Sequence, residues 1–244
     1  MPKFFAEGPG ADGFLYIAGG EANHVRNVLR LKPGDKINVN VSGEDFICEI
    51  DAFTERGVRL VRSENPDARG QSGEPRVKVT LFAALLKGDK TELAVQKCVE
   101  LGVHEIRPII TERVIARAEP GNYGNKTERY NKVSLAAAKQ CGRGAVPKVY
   151  SPVSLSEAVK FSENTDVRFC AHEKERERKI KDIIKINPDS AAVFIGPEGG
   201  FTDSEVSFMA GRGILAAGLG NRVLRAETAA IAALIIFLYE TEGN

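Results

Sequence analysis

The sequence predicts an α/β protein in two parts, a small β-rich module followed by a mostly parallel sheet covered by helices. Three observations carry this expectation. Residues 1 to 70 are dominated by β-branched and aromatic segments with partial alternation. A polar stretch rich in Gly and Pro, "ENPDARGQSGEP" at 64 to 75, then interrupts the pattern. Beyond it, strand-like apolar runs alternate with helical periodicities, the arrangement that builds a parallel sheet with helical crossovers. The expected modules are 1–70 and 74–244.

In the first module "FLYIAG" and "KINVNVSGEDFICEIDAFTERGVRLVRS" read as strands, cut by turns at Ser42-Gly43 and Arg56-Gly57. Between them "EANHVRNVLRL" fits a short helix with Val25, Val28 and Leu29 on one face, and "KPGD" at 32 to 35 is a turn. A small β-barrel with one helix is the expected form.

In the second module "RVKVTLFAAL" reads as a strand. "KTELAVQKCVEL" reads as a helix with Leu93, Ala94, Cys98 and Leu101 on one face, ended by Gly102. "EIRPII" is a strand. "TERYNKVSLAAAKQCG" is a helix with Tyr130, Val133, Ala137 and Cys141 in line, and "KVYS" is a short strand. Ser154 with Glu157 makes a capping box for the next helix. "VRFCA" is a strand, and "EKERERKIKDIIK" a charged helix turning Ile180, Ile183 and Ile184 inward. "AAVFI" is a strand, followed by a second capping box at Thr202 and Glu205. "GILAAGL" is a strand, and "ETAAIAALIIFLYE" the last helix.

Composition narrows the class. The 244 residues are 27% charged and 43% apolar with a net charge of +1, as in an ordinary soluble protein, so any charge argument must be local. Cys48, Cys98, Cys141 and Cys170 include no C-x-x-C pair and read as reduced thiols; no metal is expected. The N-terminus lacks the apolar core of a signal peptide, and Ala229 to Tyr239 is too short to span a bilayer. A cytoplasmic location is expected.

Ligands of open α/β sheets bind beyond the carboxyl ends of strands. Two loops there have the right character, "GPEGGF" after Ile195 and "GLGNRVLRAET" after Ala217. Neither carries the Lys and hydroxyl of a phosphate loop, and Val223 stands where a dinucleotide fingerprint needs its third glycine. A ligand with adenine and ribose but no phosphate suits them, and a carboxylate would tolerate a positive centre. Tight turns with glycines for geometry alone are the other reading.

Taken together, "IGPEGGFTDSEV", "LGNRVLRAETAAIAAL" and "KTELAVQKCVELGV" closely resemble the RsmE family, methyltransferases of small-subunit ribosomal RNA within the SPOUT superfamily. "NHVRNVLRLKPGD" and "AAKQCGRGAVPKV" extend the resemblance over nearly the whole chain. It implies a PUA-like, RNA-binding N-terminal barrel and a SPOUT-type parallel sheet with a C-terminal trefoil knot, which the periodicity itself does not show. It implies methyl transfer from S-adenosylmethionine to N3 of a uridine in 16S rRNA, by a homodimer. The cofactor would be held by Ile195, Gly196, Pro197, Gly199, Leu219, Gly220, Leu224, Glu227, Thr228 and Ala229. Two departures stand out. Ala226 replaces a common Thr, and Tyr130 stands near a position that often holds Trp.

For that chemistry Arg225 is the candidate to stabilise negative charge on uracil oxygens, or else an ion-pair partner of a carboxylate such as Glu227. Glu198 is a candidate proton acceptor, or else a carboxylate favoured at a helix N-terminus. Arg26, Arg30, Lys32, Lys87, Lys139 and Arg143 are the candidate RNA contacts. His24 reads as structural, with base stacking as the alternative. Two other readings stay open, an idle RNA-binding or ribosome-assembly factor on the same fold and a nucleotide-cofactor enzyme acting on a small molecule.

Overall fold

The computed structural model describes residues 3–6, 8–41, 44–63, 73–115, 123–184 and 187–242. The chain forms two units. The first is Met1–Glu74 with Lys139–Ala145, and the second is Pro75–Ala138 with Val146–Asn244. The expected turn at Ser42-Gly43 and most of the expected linker, 64–72, lie outside the described residues. A return of seven residues to the first unit was not expected from sequence.

The first unit carries one five-stranded sheet. Its strands are β1 (Lys3–Phe5), β2 (Leu15–Ile17), β3 (Lys36–Val41), β4 (Glu44–Thr54) and β5 (Gly57–Arg62), in the order β1-β3-β4-β5-β2. Alternation in β3 and β5 turns Ile37, Val39, Val58 and Leu60 onto Phe4, Leu15, Ile17 and Ile50. The β4–β5 turn needs Gly57, which sits at φ 130° with Ile17 O only 2.1 Å from where a Cβ would be. The expected single helix is instead a short α1 (Gly19–Asn23) running into a π-helical turn, His24–Val28. The wider π turn breaks the expected face: Val25 is buried, while Val28 and Leu29 are 61% and 36% exposed.

The second unit carries a seven-stranded sheet in which every pairing is parallel. Its strands are β6 (Lys78–Ala84), β7 (Glu105–Ile110), β8 (Lys148–Val149), β9 (Val153–Ser154), β10 (Val167–Ala171), β11 (Ser190–Ile195) and β12 (Leu215–Ala217). The order is β12-β10-β11-β6-β7-β8, with β9 also on β7. The helices are α2 (Lys90–Glu100), α3 (Tyr123–Cys141), α4 (Leu155–Phe161), α5 (Ile180–Ile183), α6 (Asp203–Ala210) and α7 (Ala226–Glu242). The central strand β11 is buried from Ala191 to Ile195, as a strand covered on both faces must be. Phe194 stacks on Phe82 of β6 at 4.6 Å, and Phe169 of β10 packs on Phe237 of α7.

Both capping boxes form. Ser154 Oγ accepts the Glu157 N–H and Thr202 Oγ1 that of Glu205, while each glutamate accepts its cap's N–H. Three details depart from expectation. In α2 the buried face is Thr91, Ala94, Val95, Cys98 and Val99, with Leu93 42% exposed. In α3, Ser134 and Ala138 join Tyr130 and Ala137 in the core while Cys141 is exposed. The charged helix shrinks to α5, because the Glu175 carboxylate accepts the N–H groups of Glu177 (2.9 Å) and Arg178 (3.0 Å) and holds the preceding segment in a non-helical loop. Burial pushes the Cys98 and Cys170 thiols up to about 12, so both act as small apolar fillers.

Candidate active site

The strand order places the carboxyl ends of β12, β10 and β11 side by side, and the loops that leave them form one cleft. The cleft encloses about 170 Å³. After β11 come Gly196 to Phe201, closed by a turn in which Gly200 N–H donates to Pro197 O at 2.9 Å. A Cβ on Gly196 would stand 3.0 Å from Phe201 N, tighter than ordinary Cβ contact, so the turn favours glycine there. After β12 the chain passes through Gly218, whose N–H donates to Arg178 O at 2.9 Å. A Cβ at Gly218 would lie 2.3 Å from Glu175 O, so only glycine lets this loop pass against the one after β10.

The cleft gathers most of the residues expected at a cofactor site: Ile195, Gly196, Pro197, Gly199, Leu219, Gly220, Leu224 and Ala229 line it, and so does Glu198. Glu227 and Thr228 do not. Glu227 is buried in the first turn of α7, and its Oε2 has no hydrogen-bond partner among the described residues. Arg225 is exposed and makes no ion pair with Glu227 or any other carboxylate among the described residues. Ala226 is buried and lines both the cleft and a small apolar void beneath it, between Leu81, Val95 and Ala230.

Ala171 at the end of β10, with His172 and Glu173 after it, completes the wall, a contribution not expected from sequence. The signal was a strand end like the other two, but without glycines to mark it. Loops from β6 and β7 brace the cleft from outside. Lys87 N–H donates to Glu198 Oε1 at 3.0 Å, and Lys90 lies 3.9 Å from the same oxygen. Burial raises the Glu198 carboxyl, but the Lys87 N–H and the two lysine charges outweigh it and hold the group below the usual carboxylate value. Arg113 donates to Gly199 O at 2.7 Å, and Glu112 N–H donates to Glu205 Oε1 at 2.8 Å. The ionisable lining is therefore two carboxylates, Glu173 and Glu198, one imidazole, and the exposed guanidinium of Arg222. Such a lining carries no lysine of a phosphate loop, and its carboxylates can face a positive centre.

The candidate RNA contacts divide. In the first unit Arg26, Arg30 and Lys32 are exposed around the π-helical turn. Arg26 lies over the Phe53 ring at 5.3 Å, and Arg30 holds the only positive φ (53°) of a non-glycine residue among those described. His24 is exposed and tilted against Phe4 at 6.4 Å. Lys139 and Arg143 are committed elsewhere. Lys139 pairs with Glu21, and burial lowers its pKa. Arg143 is buried against Glu74, whose carboxylate accepts from Arg143 Nε at 3.2 Å and from Nη2, and also takes the N–H groups of Gly144 (2.9 Å) and Ala145 (3.1 Å). The basic turn is thus a structural clasp. In the second unit Lys87 is exposed, its backbone tied to Glu198.

Among the described residues no group of His, Cys, Asp or Glu could hold a metal ion, and no helix is long and apolar enough to cross a membrane.

Residues 73–238 match the family described as the RNA methyltransferase domain, and residues 17–61 match the RNA methyltransferase PUA domain. The ribosomal RNA small subunit methyltransferase E of Bacillus subtilis is 31% identical over 233 residues, covering 93% of this chain and 90% of its own. That of Mesomycoplasma hyopneumoniae is also 31% identical, covering 95% of this chain and 96% of its own. Among solved structures, ribosomal RNA small subunit methyltransferase E of Neisseria gonorrhoeae bound to S-adenosylmethionine superposes with a TM-score of 0.80 at 29% identity, covering 97% of this chain and 96% of the other. A Legionella pneumophila protein solved with the same cofactor gives a TM-score of 0.81 at 30% identity, covering 98% of each chain.

Proposed function

The chain belongs to the ribosomal RNA small subunit methyltransferase E family, and from that premise we propose that it methylates N3 of a uridine in 16S rRNA with S-adenosylmethionine as donor. The observation that carries this reading is the cleft itself, in which the glycine loops after β11 and β12, parallel strands on either side of β10, meet the loop after β10.

The residues present fit that cofactor. Gly196, Pro197, Gly199, Leu219 and Gly220 offer closely approachable backbone for adenine and ribose, with Ile195, Leu224 and Ala229 as apolar walls. When bound, S-adenosylmethionine supplies a methyl group on a sulfonium, a cation that the carboxylates of Glu173 and Glu198 suit. Aligning the acceptor nitrogen with that methyl contributes up to about 7–11 kcal/mol of rate enhancement. Arg225, exposed beside the cleft-lining Leu224 and without a carboxylate partner among the described residues, stabilises the negative charge that develops on the uracil oxygens. Glu198 acts as a tether for its loop, since Lys87 N–H already occupies one oxygen.

RNA is held through Arg26, Arg30 and Lys32 in the PUA-like unit and Lys87 in the other. The C-terminal segment is knotted, a reading supported by the close passage of Gly218 against the loop after β10. The enzyme is a cytoplasmic homodimer. Ile235, Ile236 and Tyr239, exposed on α7 opposite its buried face, support a contact between copies.

Calorimetry with S-adenosylmethionine, followed by primer extension on ribosomal RNA from a deletion strain, tests the function. Heat of binding and loss of the N3-methyl stop in the deletion strain are expected. Absence of binding at high protein concentration would leave an RNA-binding factor only.

A further inference from the structure

The loop after β10 brings into the cleft a group that the chemistry above leaves unused. His172 is 8% exposed, and its Nδ1 is buried without a hydrogen-bond partner among the described residues. Nδ1 stands 3.6 Å from Glu173 Oε2, just beyond hydrogen-bond range. The main chain fixes the residue firmly. His172 N–H donates to Ala217 O at 3.0 Å, and its carbonyl accepts from Glu175 N–H at 3.2 Å. Glu173 is set over the facing loop, where a Cβ on Gly200 would meet its Oε1 at 3.0 Å. A buried polar atom left without a partner costs roughly 1–3 kcal/mol, and among the four such side-chain atoms in the described residues His172 Nδ1 belongs to a residue lining the cleft.

We propose that His172 is the acceptor of the uridine N3 proton, and that Glu173 is a positioning residue that orients the imidazole through Nδ1 and stabilises its protonated form. The assignment rests on the methyl-transfer reading above and identifies how that site activates its substrate. The imide nitrogen is a poor nucleophile until its proton leaves, so the cleft must hold a base. Glu198 is tethered to Lys87, and Arg222 cannot accept a proton. Histidine is the side chain most often used for proton transfer. A carboxylate behind one ring nitrogen, with the other nitrogen left to the substrate, is the recurrent arrangement of an oriented base. Closure of less than about 1 Å makes the Nδ1–H to Oε2 bond, the tightening that catalytic hydrogen bonds show on substrate binding. In the step, the N3–H bond breaks, with its proton passing to Nε2 of His172. The nitrogen's electron pair forms the N–CH3 bond, and the pair of the broken C–S bond stays on sulfur as a neutral thioether. The imidazolium then gives its proton to water.

The test compares wild type, His172→Gln and Glu173→Gln. Calorimetry gives the affinity for S-adenosylmethionine. Single-turnover transfer to small-subunit ribosomal RNA gives the rate, with 3-methyluridine identified in the hydrolysate. His172→Gln is expected to slow transfer at saturating cofactor about 100-fold or more while cofactor Kd stays within about threefold. Glu173→Gln, at an exposed side chain, is expected to slow transfer at saturating cofactor about tenfold, over and above any weakening of cofactor Kd from the loss of one carboxylate near the sulfonium. RNA made with 5-fluorouridine, whose imide is more acidic, should narrow the His172→Gln defect, because proton removal is the step impaired. A wild-type rate in both variants, or a defect confined to cofactor Kd, would overturn the assignment and make the pair a cofactor contact or a structural one. A wild-type reaction that yields no 3-methyluridine is a different result: it removes the methyl-transfer reading itself, and this assignment with it.

Discussion

Replacing Glu74 by Gln removes the charged partner of a guanidinium that is only 7% exposed, and weakens the acceptor for the Gly144 and Ala145 N–H groups. Breaking a buried ion pair from one side typically costs about 3–5 kcal/mol. The Glu74 carboxylate is itself 24% exposed, so the low end of that range, about 3 kcal/mol, is expected in urea unfolding. The loss is pH-dependent in a defined direction. Burial raises the Glu74 carboxyl, but the hydrogen bonds and charge of Arg143 outweigh it and lower the folded value below the ordinary 4.5. The folded state therefore binds fewer protons than the unfolded one between the two values. The stabilisation is complete above the ordinary value and disappears as pH falls through the lowered one. The gap between wild type and Glu74→Gln should accordingly be widest near neutrality and close on acidification. Arg143→Lys should also lose stability, since an ammonium cannot span both carboxylate oxygens. Neither substitution should change the salt dependence of RNA binding. Unfolding of Glu74→Gln within about 0.5 kcal/mol of wild type, or an Arg143→Gln variant that keeps full stability yet shows a flatter salt slope, as loss of a phosphate contact would, is the contrary result.

Further outcomes are expected at the cleft and the basic turn. Gly218→Ala would push a Cβ against Glu175 O about 1 Å inside ordinary contact, costing roughly 1–3 kcal/mol in thermal unfolding and weakening S-adenosylmethionine binding in calorimetry. Glu198→Gln should weaken cofactor binding by loosening the tether to Lys87, while single-turnover methyl transfer at saturating cofactor stays near wild type. Arg30→Gly relieves a left-handed backbone and should raise stability by up to about 1 kcal/mol, while filter binding shows weaker RNA affinity and a salt slope smaller by about 1.

Most strands, the longer helices and the two glycine loops of the cleft were legible in the amino-acid sequence. Apolar runs such as Ala191–Ile195, the capping boxes at Ser154 and Thr202, and the glycines at 196 and 218 are written within a few residues of where they act, so they read locally. Tertiary structure decided what each charged or polar side chain is for. Arg143 looks like a phosphate contact until it meets Glu74, 69 positions away in the chain. Lys139 looks free until Glu21 is found beside it. The run from Glu173 to Lys179 has helical composition, yet the Glu175 carboxylate and the passage of Gly218 hold it open. His172 carries no local mark at all. It joins the site only because β12, β10 and β11 lie side by side, an order fixed by long-range strand pairing. Periodicity and capping are short-range and survive in the sequence, whereas partnership between charges depends on which distant segments the folded core brings together.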